Sequence, residues 1–235
     1  MHTLPELSII IPVYNEVTTL RHIVEHIQAL PITVEIIVVD DASTDGTTAI
    51  VTQLTQDAAI KSILHPYNRG KGAAIRSALA VATAPLLVIQ DADLEYNPHD
   101  FLRMLEVIHT GAPVVYGTRF RGTHPQGMLW SHYLGNRLLT WYFNVLYGAQ
   151  LTDLETCYKM CRTTLLRRQG IDHDRFDVDP EMTAKFVRQG IRIQEVPVAY
   201  QGRPYRAGKK IRPRDALSAF VTMWRYRNWM LAGEQ

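Results

Sequence analysis

The stretch VEIIVVDDASTDG, residues 34–46, decides how the rest of the chain is read. Val34–Val39 is short, apolar and rich in β-branched residues, the composition of a strand covered on both faces. It stops at two adjacent acids, and a cap-rich turn from Asp41 to Gly46 leads into a helical pattern over Thr44–Leu54. Upstream, Leu7–Val13 (LSIIIPV) repeats the buried-strand pattern, with a helix-like stretch from Val17 to Leu30 behind it. Downstream come a short strand at Lys61–Leu64, a helix at Gly72–Ala82 and a strand at Pro85–Gln90. Strands alternating with helices imply βαβ crossovers, hence an α/β fold with a mostly parallel central sheet flanked by helices. The second half is less regular. It offers a strand at Val114–Thr118, helices near Leu129–Leu146 and Pro180–Gln189, a strand at Arg192–Tyr200 and a last helix at Asp215–Leu231. With no Gly/Ser-rich linker and no repeat, one domain over 1–235 is expected.

Composition removes several classes of protein. Of 235 residues, 46% are hydrophobic and 20% charged, inside the soluble globular range and outside that of disordered or fibrous chains. The two cysteines, Cys157 and Cys161, cannot staple a secreted scaffold and lack nearby partners for zinc, so both read as buried thiols in a reducing compartment. No signal-peptide pattern opens the chain and no run approaches the roughly 18–20 apolar residues of a membrane span. A cytoplasmic protein without a transmembrane helix is expected. The net charge of +2 hides an asymmetry: residues 1–118 carry six Lys/Arg against thirteen Asp/Glu, and residues 119–235 carry nineteen against ten. An acidic half suits a cation and a basic half an anion, although a solvated basic surface would look the same.

Three polar clusters each follow a predicted strand, where open parallel sheets bind ligands. The first is Pro12-Val-Tyr14-Asn15-Glu16. The second is Asp40-Asp41 with Ser43, Asp45 and Gly46; a helix N-cap explains one of these acids but not three. The third, Gln90-Asp91-Ala92-Asp93-Leu94-Glu95, would project its carboxylates to one side in extended backbone. Hard oxygen ligands of this kind suit Mg²⁺ or Mn²⁺, which would neutralise a diphosphate. Between them, Asn68-Arg69-Gly70-Lys71-Gly72 imitates a dinucleotide fingerprint, yet Ile75 stands where Gly or Ala is needed. A glycine turn that brings Arg69 or Lys71 near a nucleotide fits better.

In this order and spacing, SIIIPVYNE, VVDDASTDGT, NRGKGAAI and QDADLE resemble the inverting family 2 glycosyltransferases of the GT-A fold. The later segments YGTRF (116–120), LTDLETCYKM (151–160) and VPVAYQGRPYRAGKKI (196–211) are similar to the branch of dolichyl- and polyprenyl-phosphate sugar synthases. The resemblance spans about residues 7–228. It implies transfer of a hexose, mannose or glucose, from a GDP- or UDP-linked donor to a polyprenyl phosphate, with Mg²⁺ or Mn²⁺ as cofactor. It places Pro12, Tyr14, Glu16, Asp40, Asp41, Lys71 and Asp91 around the nucleotide, and Asp91, Asp93 and Glu95 on the metal. It assigns Arg119, Arg203 and Lys209 to the acceptor phosphate, with Arg137 standing in for an arginine the family carries before the central helix. Asp91, Asp93, Arg119 and Asp153 form the catalytic set. A phosphate acceptor needs no strong base; a sugar-hydroxyl acceptor in polysaccharide synthesis would need one, and Asp153 or Glu155 would serve unless they are structural.

The helical stretches Met128–Tyr147 and Ala216–Leu231 mix aromatic and basic residues, which suits either peripheral contact with the cytoplasmic face of a membrane or ordinary packing. Nothing points to nucleic acid, and the oligomeric state is left open. Rival readings fit less well. A nucleotidyltransferase should carry a glycine-rich loop after its first strand, and PVYNE has none. A phosphoacceptor receiver is about half this length. An idle membrane adaptor would have no use for the Asp91–Asp93 pair.

Overall fold

The computed structural model describes residues 4–121, 125–203 and 213–231, with the side chains of 213–216 outside the description. Strands β1 (Leu7–Val13), β2 (Val34–Asp40), β3 (Ile60–Leu64), β4 (Leu86–Ile89), β5 (Val114–Thr118), β6 (Lys159–Arg162) and β7 (Ile193–Pro197) form one sheet in the order β3-β2-β1-β4-β6-β5-β7. β1 pairs in parallel with β2 and β4, β2 with β3, and β5 with β7; only β6 runs antiparallel, between β4 and β5. The apolar runs are covered on both faces: Leu7, Ile9, Ile10 and Ile11 are fully buried, as are Ile36 to Val39.

Helices α1 (Leu20–Gln28), α2 (Thr47–Leu54), α3 (Lys71–Val81), α4 (Asp100–His109), α5 (Trp130–Tyr147), α6 (Thr163–Gln169), α7 (Val178–Arg188) and α8 (Pro213–Tyr226) complete the chain. α1 buries Leu20, Ile23, Val24 and Ile27, an i, i+3, i+4, i+7 row against the sheet. Two expected helices start late. Val17 stays outside α1 and Thr44–Gly46 outside α2, because the Val17 amide donates to Asp45 Oδ2 at 3.1 Å across the two turns. Three elements go beyond the expectation from sequence. α4 carries the buried row Phe101, Met104, Leu105, Ile108. β6 is only four residues with a buried lysine, Lys159, that masks its strand pattern, and α6 follows it at once. No described helix is long and apolar enough to cross a membrane.

After β3 the chain returns to the other side of β1, so the order reverses between β1 and β4. That reversal opens a crevice at their carboxyl ends. The opposite end of the sheet is closed by Glu35. Its carboxylate accepts from the Ser8 hydroxyl, the Thr83 amide, the Ala84 amide at 2.9 Å and the Lys61 ammonium at 2.7 Å. Burial pushes this carboxyl up, but the Lys61 and Ser8 contacts and the two amides outweigh it and hold it at about 2, below the usual 4.5. A depressed pKa stabilises the fold above the unfolded value, and that contribution is lost as pH falls from about 4.5 toward 2. Glu35→Gln, which keeps an oxygen for the two amides but removes the charge and turns an NH2 donor toward the Lys61 ammonium, should therefore cost about 2–3 kcal/mol at neutral pH. Denaturant melts should show its gap from the wild type narrowing toward pH 3.

Candidate active site

The loops after β1, β2 and β4 form the crevice, and each contains one non-glycine residue with positive φ: Asn15 (53°), Ala42 (62°) and Leu94 (58°). These are the only such residues among those described, and left-handed backbone costs about 1–2 kcal/mol each, so strain is concentrated at this edge. Side chains of the SerThrAspGlyThr turn hold the loops together. The Asn15 amide donates to Ser43 Oγ and the Glu16 amide to Thr47 Oγ1, each at 2.9 Å, and Asn15 Oδ1 accepts from the Thr44 amide at 2.7 Å. Pro12 and Tyr14 line the same edge, half-buried.

Asp40 and Asp41 are engaged within the protein. Asp40 accepts from the Ser43 amide at 3.0 Å and from the Thr48 hydroxyl. Asp41 Oδ1 lies 2.7 Å from His65 Nδ1 and accepts from the Arg69 amide at 2.8 Å, while Oδ2 accepts from the Gly70 amide at 2.7 Å. The glycine turn has a packing cause. A Cβ at Gly70 (φ +104°) or Gly72 would collide with the backbone carbonyls of Asp174 or His173, and the Ala73 amide donates to Asp174 O at 3.0 Å. The turn delivers Lys71 into the crevice, 3.0 Å from Asp91 and 3.5 Å from Asp179. Burial disfavours the Lys71 charge, but Asp179 and Asp91 outweigh it and hold the ammonium well above its usual pKa.

The 91–95 segment is a turn rather than the extended backbone expected for it, with Leu94 in the left-handed region. Asp91 faces Lys71. Asp93 Oδ2 accepts from Arg203 at 3.1 Å. Glu95 accepts the Arg203 amide at 2.9 Å and the Tyr200 hydroxyl at 2.7 Å. Among the described residues, no three His, Cys, Asp or Glu side chains are grouped to hold a metal ion. Burial and the neighbouring charges of Asp91 and Glu95 nonetheless push the Asp93 carboxyl up to about 7 against the pull of Arg203.

Arg203, expected at the acceptor phosphate, pairs in the structure with the acidic side of the crevice. Its guanidinium also donates to both oxygens of Glu16, at 3.0 and 3.1 Å, so it ties the loops after β1 and β4 together. Lys209 lies outside the described residues. Arg119 lies at the end of β5, 7% exposed, and is gripped by Asp153: Nε and Nη2 each donate at 2.7 Å, and the Arg119 amide adds a third bond at 3.0 Å. Both oxygens of the fully buried Asp153 are thereby engaged by Arg119. Glu195 in turn accepts the Thr152 and Asp153 amides at 2.9 and 3.1 Å. Arg137 is exposed beside this group, 6.0 Å from the Phe120 ring that Arg119 also faces.

Glu155 differs from Asp153. Its Oε1 is buried without a hydrogen-bond partner, and burial with the nearby Asp179 charge pushes its carboxyl up to about 7. Two residues absent from the sequence reading complete the site. Asp179 pairs with Lys159 at 2.8 Å and with Lys71, and no local motif marks it. Tyr200 joins the two sides, its hydroxyl on Glu95 and its ring 5.3 Å from the Arg119 guanidinium; its place in VPVAY next to β7 was the available signal.

A parallel sheet with this reversal, and a polar crevice at its carboxyl edge, gives the chain a GT-A-type α/β fold. The chain belongs to glycosyl transferase family 2, whose model matches residues 8–175. It is 27% identical over 227 residues to the glycosyltransferase AglJ of Haloferax volcanii, covering 96% of this chain and 73% of that protein. It is 27% identical over 204 residues to the polyprenol monophosphomannose synthase of Mycolicibacterium smegmatis, covering 83% and 77%. Among solved structures, glucosyl-3-phosphoglycerate synthase from Mycobacterium tuberculosis, in complex with Mn²⁺, UDP and glucosyl-3-phosphoglycerate, has the same fold. The TM-score is 0.73 at 19% identity, over 97% of this chain and 82% of that one. The protein is a glycosyltransferase.

Arg203 engages Asp93 Oδ2, an oxygen that a cation bound at Asp93 would compete for. Arg203→Ala should therefore tighten Mn²⁺ binding, read by electron paramagnetic resonance, about three- to tenfold, the scale of one partly exposed ion pair. An unchanged Mn²⁺ affinity would show that the guanidinium does not compete for that carboxylate.

Proposed function

We propose that this glycosyltransferase moves a hexosyl group, with inversion, from a GDP- or UDP-linked sugar to a polyprenyl phosphate at the cytoplasmic face of a membrane. The observation that carries the reading is Arg119. Two of its nitrogens are held by Asp153, while Nη1 has no hydrogen-bond partner among the described residues. A buried guanidinium pre-oriented in this way, with Tyr200 between it and the acidic turn, suits an anionic acceptor better than a neutral hydroxyl. The relative named polyprenol monophosphomannose synthase supports the same class of acceptor.

In this reading the crevice between β1 and β4 takes the donor, with Pro12, Tyr14 and Glu16 on one wall and Lys71 on the other. The basic second half, with Arg119 and Arg137, takes the acceptor. A divalent cation fits the residues present. Asp93 is a hard oxygen donor whose ionised form is crowded by Asp91 and Glu95, a strain that a cation relieves. Asp91 and Asp93 would hold Mg²⁺ or Mn²⁺, and the ion when bound supplies neutralisation of the departing diphosphate. The chain's own groups do the rest. Lys71 holds positive charge beside Asp91, and Arg119 orients the acceptor phosphate so that one of its oxygens faces the anomeric carbon. The new bond joins that carbon to the acceptor oxygen as its bond to the donor diphosphate breaks. The acceptor is already an anion, so no base is required.

The second reading, transfer to a saccharide hydroxyl, is favoured by Glu155, a carboxyl near neutrality with an oxygen unengaged by protein. Transfer of labelled hexose to a prenyl phosphate tests the first reading. Arg119→Lys should raise the acceptor KM at least about tenfold, because a single ammonium cannot replace the fork, and should leave the donor dissociation constant unchanged. Failure of every prenyl phosphate to accept sugar, with donor hydrolysis intact, would reject the reading. Glu155→Gln separates the two chemistries. It should alter kcat less than about threefold with a phosphate acceptor, whereas loss of a required base would cost about a hundredfold or more.

A further inference from the structure

α5 and α8 lie side by side over a satellite core. Leu139, Phe143, Ala219, Met223 and Tyr226 are buried in it, and Tyr142 meets Phe220 edge to face at 4.9 Å. Their opposite faces are apolar and uncovered. On α5, Trp130, Leu134, Leu138, Trp141 and Val145 recur at four- and three-residue spacing, from 53% to 70% exposed. On α8, Leu217, Val221 and Trp224 do the same, and Met230 beyond the helix is exposed as well. Because both helices bury their inner rows in one cluster, both outer rows face away from it. Isolated exposed apolar residues are ordinary; two aligned rows are not.

We infer that this surface is a docking face for an anionic lipid bilayer. The charge around it selects that occupant. There is no Asp or Glu between Glu106 and Asp153, nor anywhere in 216–231, while Arg137, Arg225 and Arg227 lie on these helices or directly after them. The Arg227 guanidinium stacks 4.0 Å over the exposed Trp224 ring, an amphipathic pair of the kind that sits at headgroup depth. Three of the four tryptophans lie on this face, the residue type that prefers the membrane interface. A second copy of the chain would bring two arginine rims together with no acid to meet them; anionic headgroups complement them. The face also leads to the site. Trp130 packs on Tyr133, Tyr133 on Phe120, and Phe120 lies 5.4 Å from the Arg119 guanidinium. A phosphate carried by a lipid anchored at this surface would arrive beside Arg119, so the inference deepens the acceptor reading and takes its functional meaning from it.

Vesicle flotation tests the surface without the acceptor. The probes are phosphatidylcholine vesicles and phosphatidylcholine vesicles with about one-third phosphatidylglycerol, neither containing a prenyl phosphate. The wild type should float with the anionic vesicles and shift its tryptophan emission to the blue. The Trp141→Glu/Val145→Glu variant, altered at exposed positions, should keep its melting temperature and lose at least about tenfold in bound fraction. Added salt should weaken the wild-type association. Wild type that stays unbound to both vesicles, or a folded variant that floats as well as the wild type, overturns the inference. A wild-type dimer in light scattering that the same variant converts to monomer also overturns it, in favour of self-association. Transfer to a water-soluble short-chain prenyl phosphate tests the acceptor reading separately: the variant should retain it, and its absence in the wild type would reject that reading while leaving the docking result intact.

Discussion

Like charge crowded at one sheet edge is the constraint around which the molecule is arranged. Glu16, Asp91, Asp93 and Glu95 come from the loops after β1 and β4, and four carboxylates so close cannot share a half-buried crevice unpaired. Each cation that balances them comes from elsewhere in the chain. Lys71 enters from the first turn of α3, and Arg203 returns from beyond β7 to hold Glu16 and Asp93 together. Closing the site therefore requires the second half of the chain. It is tied down by β6, which threads between β4 and β5, and by the 173–174 backbone against Gly70 and Gly72.

The same logic repeats one layer out, where acids hold cations and backbone in place. Asp41 shapes the glycine turn that carries Lys71, Asp153 grips Arg119, and Glu195 fixes the backbone of Asp153. Buried ion pairs of this kind add little net stability, because desolvation offsets much of their attraction, but breaking one leaves an uncompensated charge. Their contribution is orientation. Arg119 and Lys71 are held in one geometry before any ligand arrives, which is how positive charge is made useful to a phosphorylated substrate.

Arg203 gives the acidic turn two possible counter-ions, its own guanidinium and a divalent cation, at one carboxylate. The segment that carries it also carries Tyr200, which touches Glu95 and Arg119. Any ligand that moves Arg203 from Asp93 also acts on the connection between the two sides of the crevice, so the two sides are coupled.

The sequence by itself determined the parallel half of the sheet, since continuous β-branched runs ending in polar turns have few other folded solutions. LSIIIPV and VEIIVVD became the adjacent strands β1 and β2 within one residue of their expected ends. It also brought forward the residues of the crevice, because Asp40, Asp41, Asp91 and Asp93 stand at strand ends where local pattern places them. Local pattern could not say which partner each charge would take. Leu94 in left-handed backbone bends the 91–95 segment into a turn, Asp153 meets Arg119 across 34 residues, and Asp93 meets Arg203 across 110. Those pairings depend on which strands become neighbours, and β6, short and interrupted by the buried Lys159, hid that in its sequence. The outward face of α5 was undecided for the same reason. Its apolar residues surround the whole helix, and only the placement of Leu139 and Phe143 in the core shows that Trp141 and Val145 are left outside.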